Sequence, residues 1–253
     1  MAEEAVPTVI ADGVNIIYKV IAGQGGKGTA ATAFRRILKR QDRPTIREVH
    51  AVKNVTFTAY KGDAIGVIGR NGSGKSTLLR AIAGLLPPAS GAIYTGGQPS
   101  LLGVNAAMMN DLTGDRNVVL GCLAMGMSGD EIRRRYAEIV DFSGIGDFID
   151  LPMSTYSSGM AARLKFAIAS AKTHDILLVD EALATGDAEF RVRSERKIKE
   201  LRDQAGTVFL VSHSLDVVQE TCNRALWLDA GVLKLDGPVD EVVAAYIKST
   251  RAG

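Results

Sequence analysis

The stretch GRNGSGKST, Gly69–Thr77, decides how the chain is read. It fits the spacing Gly, four residues, Gly-Lys-Ser/Thr, the pattern of a phosphate-binding loop between a strand and a helix. Chemistry selects these residue types. Glycines let the backbone curl around an anion without a clashing Cβ. The N–H groups left exposed, with the N-terminus of the following helix, stabilise negative charge. Gly69, Arg70, Asn71, Gly72, Ser73 and Gly74 form the cradle. Lys75 is placed to reach the β- and γ-phosphates of ATP, and the Ser76 hydroxyl to ligate the Mg²⁺ that bridges them. Thr77 continues the helix start toward the α-phosphate. Ala64–Ile68 is an apolar run before the loop, and Lys75–Leu86 is a helical run after it, stopped by Pro87 and Pro88. Strand, loop and helix thus stand in an order that a chance glycine turn lacks.

Working outward, Ile176–Glu181 reads ILLVDE: four apolar residues, a buried-strand pattern, ending in two acids. A carboxylate at the end of such a strand lies at the sheet edge where nucleotides bind. Asp180 is assigned to the magnesium ion, directly or through water. Glu181, next in line, is assigned to polarising the attacking water. Alone, the pair reads as a strand end with two solvated acids; beside the loop, the functional reading takes precedence. Thr207–Val211 repeats the pattern and runs into Ser212-His213. His213 is assigned to the γ-phosphate and the water, on the strength of its company. His50 and His174 have no such company and are read as structural.

Apolar runs alternate with helical patterns along the chain, which predicts an α/β fold with a mainly parallel sheet. Val14–Val20, Val52–Ala59 and Gly91–Tyr94 are further strand candidates. Asp130–Asp141, Ser158–Lys172 and Val239–Lys248 are helix candidates. Leu226–Leu235 reads as a hairpin turned at Ala230-Gly231. The segment 21–48 stands apart: a glycine-rich run passes into AFRRILKR, Ala33–Arg40. It reads as an insertion between two strands, its glycines forming a connector rather than a second phosphate loop.

The 253 residues suffice for one large domain or two small ones, and 46% hydrophobic with 23% charged residues is ordinary for a soluble protein. Thirty basic and 28 acidic residues leave a net charge of +2, so nothing points to a nucleic-acid partner. The two cysteines, Cys122 and Cys222, are too few for a disulfide framework and read as buried thiols. No stretch approaches the roughly 18–20 apolar residues of a membrane helix, and the N-terminus lacks the features of a secretory signal. A cytosolic chain is expected, with any bilayer spanned by a partner.

The order of these motifs resembles the ATP-binding subunits of ABC transporters. The discriminating element is YSSGM, Tyr156–Met160, at a helix start before the Asp-Glu strand, which is similar to the family's signature sequence Leu-Ser-Gly-Gly-Gln. The resemblance covers nearly the whole chain. It implies that Ser157, Ser158 and Gly159 bind the γ-phosphate held by the opposite subunit, across a homodimer with two ATP sites. It implies that Tyr18 stacks on adenine and that Ala184–Asp187 forms the loop following the Asp-Glu strand. It divides the single domain into a nucleotide-binding core (1–103 and 174–253), a helical subdomain (104–173) and the inserted basic segment 21–48. It places the chain on the cytoplasmic face of the membrane, on two copies of a permease. Ser100–Asn117 departs from the family by lacking a glutamine, and Asn105 stands close to that place as a candidate metal contact.

The runs LLGVNAA, DLTGDRN and LATGD, with Phe190 and the closing LDGPVDEVVAAY, are similar to ATPase subunits of bacterial exporters of O-antigen, capsule, teichoic acid or galactan. In that group the insertion lies near the membrane partner. A basic helix there suits lipid phosphate or polar ends of the partner, and equally suits solvent. Some relatives add a C-terminal carbohydrate-binding domain, which is not expected here. The surface around Asn105–Arg116 is expected to receive a short helix of the permease; Met108 and Met109 read equally as an adaptable contact there or as core. Two rival classes are a lipid, drug or ion transporter ATPase and a soluble ABC ATPase. The missing glutamine and the insertion argue against the first by resemblance. The second usually has two cassettes or a long coiled coil, and this chain has neither.

Overall fold

The computed structural model describes residues 5–22, 45–102, 108–172, 174–180, 188–212 and 214–251. Two long strands, β1 (Pro7–Ala22) and β2 (Thr45–Tyr60), pair antiparallel. β3 (Ala64–Ile68) then leads through the glycine loop into α1 (Lys75–Ile82). β4 (Ser90–Thr95) returns to pair with β1, completing a three-stranded sheet of order β2-β1-β4. β5 (Pro99–Leu101) opens a stretch of helices: α2 (Gly114–Ala124), α3 (Gly129–Ser143), two 3₁₀ turns (Gly146–Asp150 and Met153–Thr155) and α4 (Ser158–Ala169). β6 (Ile176–Val179), α5 (Ala188–Gln204), β7 (Thr207–Leu210), α6 (Leu215–Thr221), β8 (Arg224–Asp229), β9 (Val232–Pro238) and α7 (Val239–Arg251) finish the chain.

The second sheet has the order β5-β6-β7-β3-β8-β9 and is parallel except for β9. Alternate residues of its central strands face opposite cores, as the two-residue pleat dictates. Ile176, Leu178 and Phe209 face a core shared with the antiparallel sheet and α1. Leu177, Val208 and Leu210 face a core shared with α4–α7. Burial on both faces explains the continuous apolar runs that mark these strands in the sequence. Each fully buried side chain such as Phe209 or Ile65 contributes about 1.5–3 kcal/mol. A third core, around Val118, Ile132, Ile139, Leu164 and Ile168, is built by α2, α3 and α4. Helix α4 serves two cores: Phe166 and Ala169 belong to the second, Leu164 and Ile168 to the third.

Several boundaries differ from the sequence reading. β1 runs to Ala22 and β2 resumes at Thr45, with Ala22 and Thr45 as ladder partners. The ends of the 21–48 insertion are therefore strand. An antiparallel ladder continues wherever backbone groups pair, even where exposed polar side chains such as Lys19 and Glu48 face each other and leave no alternation to read. The stretch 33–40 lies outside the described residues. The hairpin turns at Ala230-Gly231 as expected, with φ of 47° and 86°, the two positive values of a type I′ turn. Helix α4 ends at Ala169, short of the expected Lys172.

Candidate nucleotide site

Strands β6, β7 and β3 lie side by side and parallel, so their C-terminal ends open on one edge. Gly69 leaves β3 there, Val211 leaves β7 and Asp180 follows β6. Gly69 has φ 146° and Gly74 has φ 103°, values that disfavour any side chain. A Cβ would stand 2.1 Å from the Leu228 carbonyl oxygen at Gly69 and 2.4 Å from that of Ala51 at Gly74. The loop is packed so closely between β2 and β8 that glycine is required twice over. Ser73 N–H donates to Arg70 O at 3.1 Å, and Gly231 N–H to Ser73 O at 3.0 Å, so the β8–β9 turn braces the loop.

Lys75 is buried, and its Nζ donates to Gly69 O at 2.8 Å and Arg70 O at 3.0 Å, holding the ammonium over the loop. Ser76 Oγ donates to Asp180 Oδ1 at 3.1 Å. Tyr18 OH lies 3.2 Å from Thr77 Oγ1, which brings β1 to the start of α1. Ala51, Asn71, Gly72, Gly74, Lys75, Ser76, Thr77, Asp180 and Val211 line an open cleft of about 290 Å³. An ammonium and a helix N-terminus in a glycine cradle make an anion site. The Ser76 and Asp180 oxygens fit Mg²⁺, which takes few protein oxygens and leaves its other positions to water and phosphate. Among the described residues no cluster of three or more His, Cys, Asp or Glu offers a rival metal cage.

Ser157 is the N-cap of α4, its Oγ accepting from Met160 N–H at 3.2 Å. Ser157 and Ser158 are exposed, and neither they nor Gly159 line the cleft. The turn is anchored from behind by Tyr156 OH, which donates to Phe148 O at 2.6 Å. Glu181, His213 and Asn105 lie outside the described residues, as does the 184–187 loop. Met108 packs on the third core, whereas Met109 is exposed. His50 Nε2 pairs with Asn15 Oδ1 at 3.0 Å, and His174 Nε2 with Ala169 O at 3.0 Å. Burial pushes the His174 imidazole below its ordinary pKa, in keeping with a structural residue. Cys122 and Cys222 are buried thiols, and burial raises Cys122 to about 11.

Sequence reasoning missed Ala51, whose carbonyl dictates Gly74, and Asn117. Asn117 is fully buried: its Oδ1 accepts from Met109 N–H, and its Nδ2 donates to the carbonyls of Met109, Leu112 and Thr113. It fixes the surface ahead of α2. No periodic or motif signal marks an asparagine for such a role.

A family model described as ABC transporter matches residues 52–184, from β2 through the glycine loop, YSSGM and the Asp-Glu strand. The chain belongs to the ABC transporter family. Two teichoic acids export ATP-binding proteins TagH are similar to it: one from Staphylococcus saprophyticus, 42% identical over 79% of this chain and 75% of that protein, and one from Lactococcus lactis, 39% identical over 80% and 43%. The O-antigen export system ATP-binding protein RfbB of Myxococcus xanthus is 42% identical over 82% of this chain and 48% of its own length. The chain thus spans under half of two of these relatives. Among solved structures, a dimeric ATP-binding cassette in a post-hydrolysis state bound to ADP and Pi superposes with a TM-score of 0.69 at 22% identity, covering 91% of this chain and 98% of that one. An ATP-binding subunit of an ABC transporter superposes at 0.71 and 19% identity, covering 94% and 93%. At such identities the agreement is one of fold: this ABC family member has the architecture of an ATP-binding cassette.

Proposed function

We propose that this ABC family chain binds and hydrolyses ATP, and that the energy drives export of a lipid-linked cell-surface polysaccharide through a separate membrane-spanning permease. The observation that carries the ATPase reading is the 3.1 Å contact of Ser76 with Asp180, which joins the glycine loop to the end of a distant strand inside one cleft. Lys75 exchanges its bonds with the loop carbonyls for bonds to phosphate oxygens, so little reorganisation attends binding. Ser76 and Asp180 hold Mg²⁺, which when bound neutralises charge on the β- and γ-phosphates. Glu181, directly after Asp180, accepts the proton of the attacking water, and His213 contacts the γ-phosphate. Tyr18, already at Thr77, stacks on the adenine.

Ser157 and Ser158 sit exposed and Gly159 half-buried at a helix N-terminus, and none of the three lines the cleft of their own chain. That placement supports their serving the ATP of a second copy in a homodimer. Asn105 takes the place of the family glutamine, and the helical unit 104–173 carries the surface that meets the permease. The names of the export relatives support the polysaccharide substrate, and a cytoplasmic, membrane-peripheral placement goes with the proposed permease partner. Among the described residues no helix is long and apolar enough to cross a membrane, and the proposal assigns that crossing to the partner.

The discriminating experiment is affinity purification of the tagged chain from detergent-solubilised membranes of its native cell. Recovery of an integral membrane protein, and loss of a surface glycan when the chain is depleted, are expected. Full ATP turnover by a chain that recovers no membrane protein, with every surface glycan intact on depletion, would contradict export.

A further inference from the structure

The side of α5 that faces the helical unit carries a linked set of contacts that ATP binding does not require. Arg193 Nη2 donates to Asp141 O at 3.0 Å and to Phe142 O at 2.9 Å, the carbonyls of the last turn of α3. Its guanidinium lies 5.3 Å from the centroid of the Phe142 ring. Phe142 in turn contacts Phe166 of α4 at 5.8 Å and Phe190 of α5 at 5.7 Å, and Phe166 meets Phe190 at 5.9 Å. One turn further along α5, Lys197 Nζ lies 3.4 Å from Glu138 of α3. Phe142 packs against both the second and the third core, so it is a residue through which the helical unit touches the rest of the molecule.

The two ends of this set lead to different halves of the chemistry. α3 shares its core with α4, whose first turn is Ser157–Gly159. α5 begins at Ala188, shortly after Asp180 and Glu181. We propose that Arg193 is a positioning residue for hydrolysis: by capping α3 and stacking on Phe142, it fixes the angle between the helical unit and α5. The Ser157–Gly159 turn at the start of α4 and the start of α5 are thereby held in one register. A cation at a helix C-terminus is favourable for the carbonyl dipoles, and a planar guanidinium can stack and donate together, which an ammonium cannot. Arg193 does not line the cleft. Its loss therefore acts on the catalytic step rather than on nucleotide capture.

The inference rests on the ATPase reading, and steady-state turnover of the full chain with Arg193→Ala, Arg193→Lys and Phe142→Leu separates the two. With the reacting groups misplaced, Arg193→Ala is expected to lower kcat about ten- to a hundredfold. The KM for ATP and the affinity for a fluorescent ATP analogue stay within about twofold, since the glycine loop is untouched. Arg193→Lys recovers part of kcat. Phe142→Leu, which keeps an apolar side chain at the junction, lowers kcat in the same direction and decides the matter if Arg193→Ala does not fold. Wild-type kcat in folded Arg193→Ala, or in Phe142→Leu, overturns the inference alone. So does a loss of turnover matched by an equal loss of analogue binding. A wild-type chain without turnover overturns the ATPase reading and this inference with it.

Discussion

Gly74 shows how little freedom the site allows a single residue. Its φ is 103°, and a methyl group added there would meet the Ala51 carbonyl oxygen at 2.4 Å. Gly74→Ala is expected to cost about 1–3 kcal/mol of stability in chemical denaturation, with nucleotide affinity falling alongside. Lys75→Ala leaves the fold in place but removes charge-assisted bonds of about 1.5–3 kcal/mol, so titration with an ATP analogue should show binding weakened roughly ten- to a hundredfold. His174 supplies a pH dependence. Burial lowers its folded pKa below 6.5, so the unfolded chain binds the proton first as pH falls. Its contribution is fully present above 6.5 and declines as pH drops toward the folded value. Thermal melts from pH 7.5 to 5.5 should show a fall that His174→Asn reduces; an unchanged profile would contradict the assignment. At this scale the sequence was informative where chemistry narrows the choice of residue. The loop Gly69–Thr77 and Asp180, which the structure brings together in one cleft, were legible as candidates because a site for phosphate and magnesium, as proposed, accepts few alternatives. Asn117 was not, because its four bonds are all to nearby backbone groups, which every residue type carries and no motif marks.

Among elements, legibility followed the apolar pattern. β3, β6 and β7 are buried at every described position and were visible as apolar runs. α3 was visible through its amphipathic face, although its start was not placed at Ser128. There a capping box operates: Ser128 Oγ accepts from Glu131 N–H, and Glu131 Oε2 from Ser128 N–H at 2.7 Å. Ser128→Ala should cost about 1 kcal/mol in denaturant unfolding. α2 escaped notice because it opens GDRN and buries a polar Asn117 among its apolar residues. α5 escaped because AEFRVRSERKIKELRDQ is dominated by charge, although Phe190, Ser194, Ile198 and Leu201 recur at helical spacing. β5 and α6 are too short for periodicity to register. Phe166 sits where α4 joins two cores, and Phe166→Ala is expected to cost about 3–5 kcal/mol, a large share of a domain's margin of about 5–15 kcal/mol. A loss below about 1 kcal/mol would show that the cores repack independently of it.

For the whole molecule, a parallel sheet gathers residues remote in sequence onto one edge. The order β6-β7-β3 makes the Ser76–Asp180 contact a consequence of topology. The antiparallel sheet adds Tyr18 from one side, and the β8–β9 turn braces the loop from the other. Ser157 and Ser158 of the YSSGM turn stand outside this gathering, exposed on the helical unit, and the proposed function enlists them from a second copy. The most direct test of the paired-site proposal compares wild type with Glu181→Gln for ATP turnover, together with size-exclusion chromatography in ATP and Mg²⁺. Turnover should collapse in the variant while an ATP-dependent dimer accumulates, because binding is kept and hydrolysis is lost. A variant that hydrolyses as fast as wild type and stays monomeric with ATP would contradict both the role of Glu181 and the paired site.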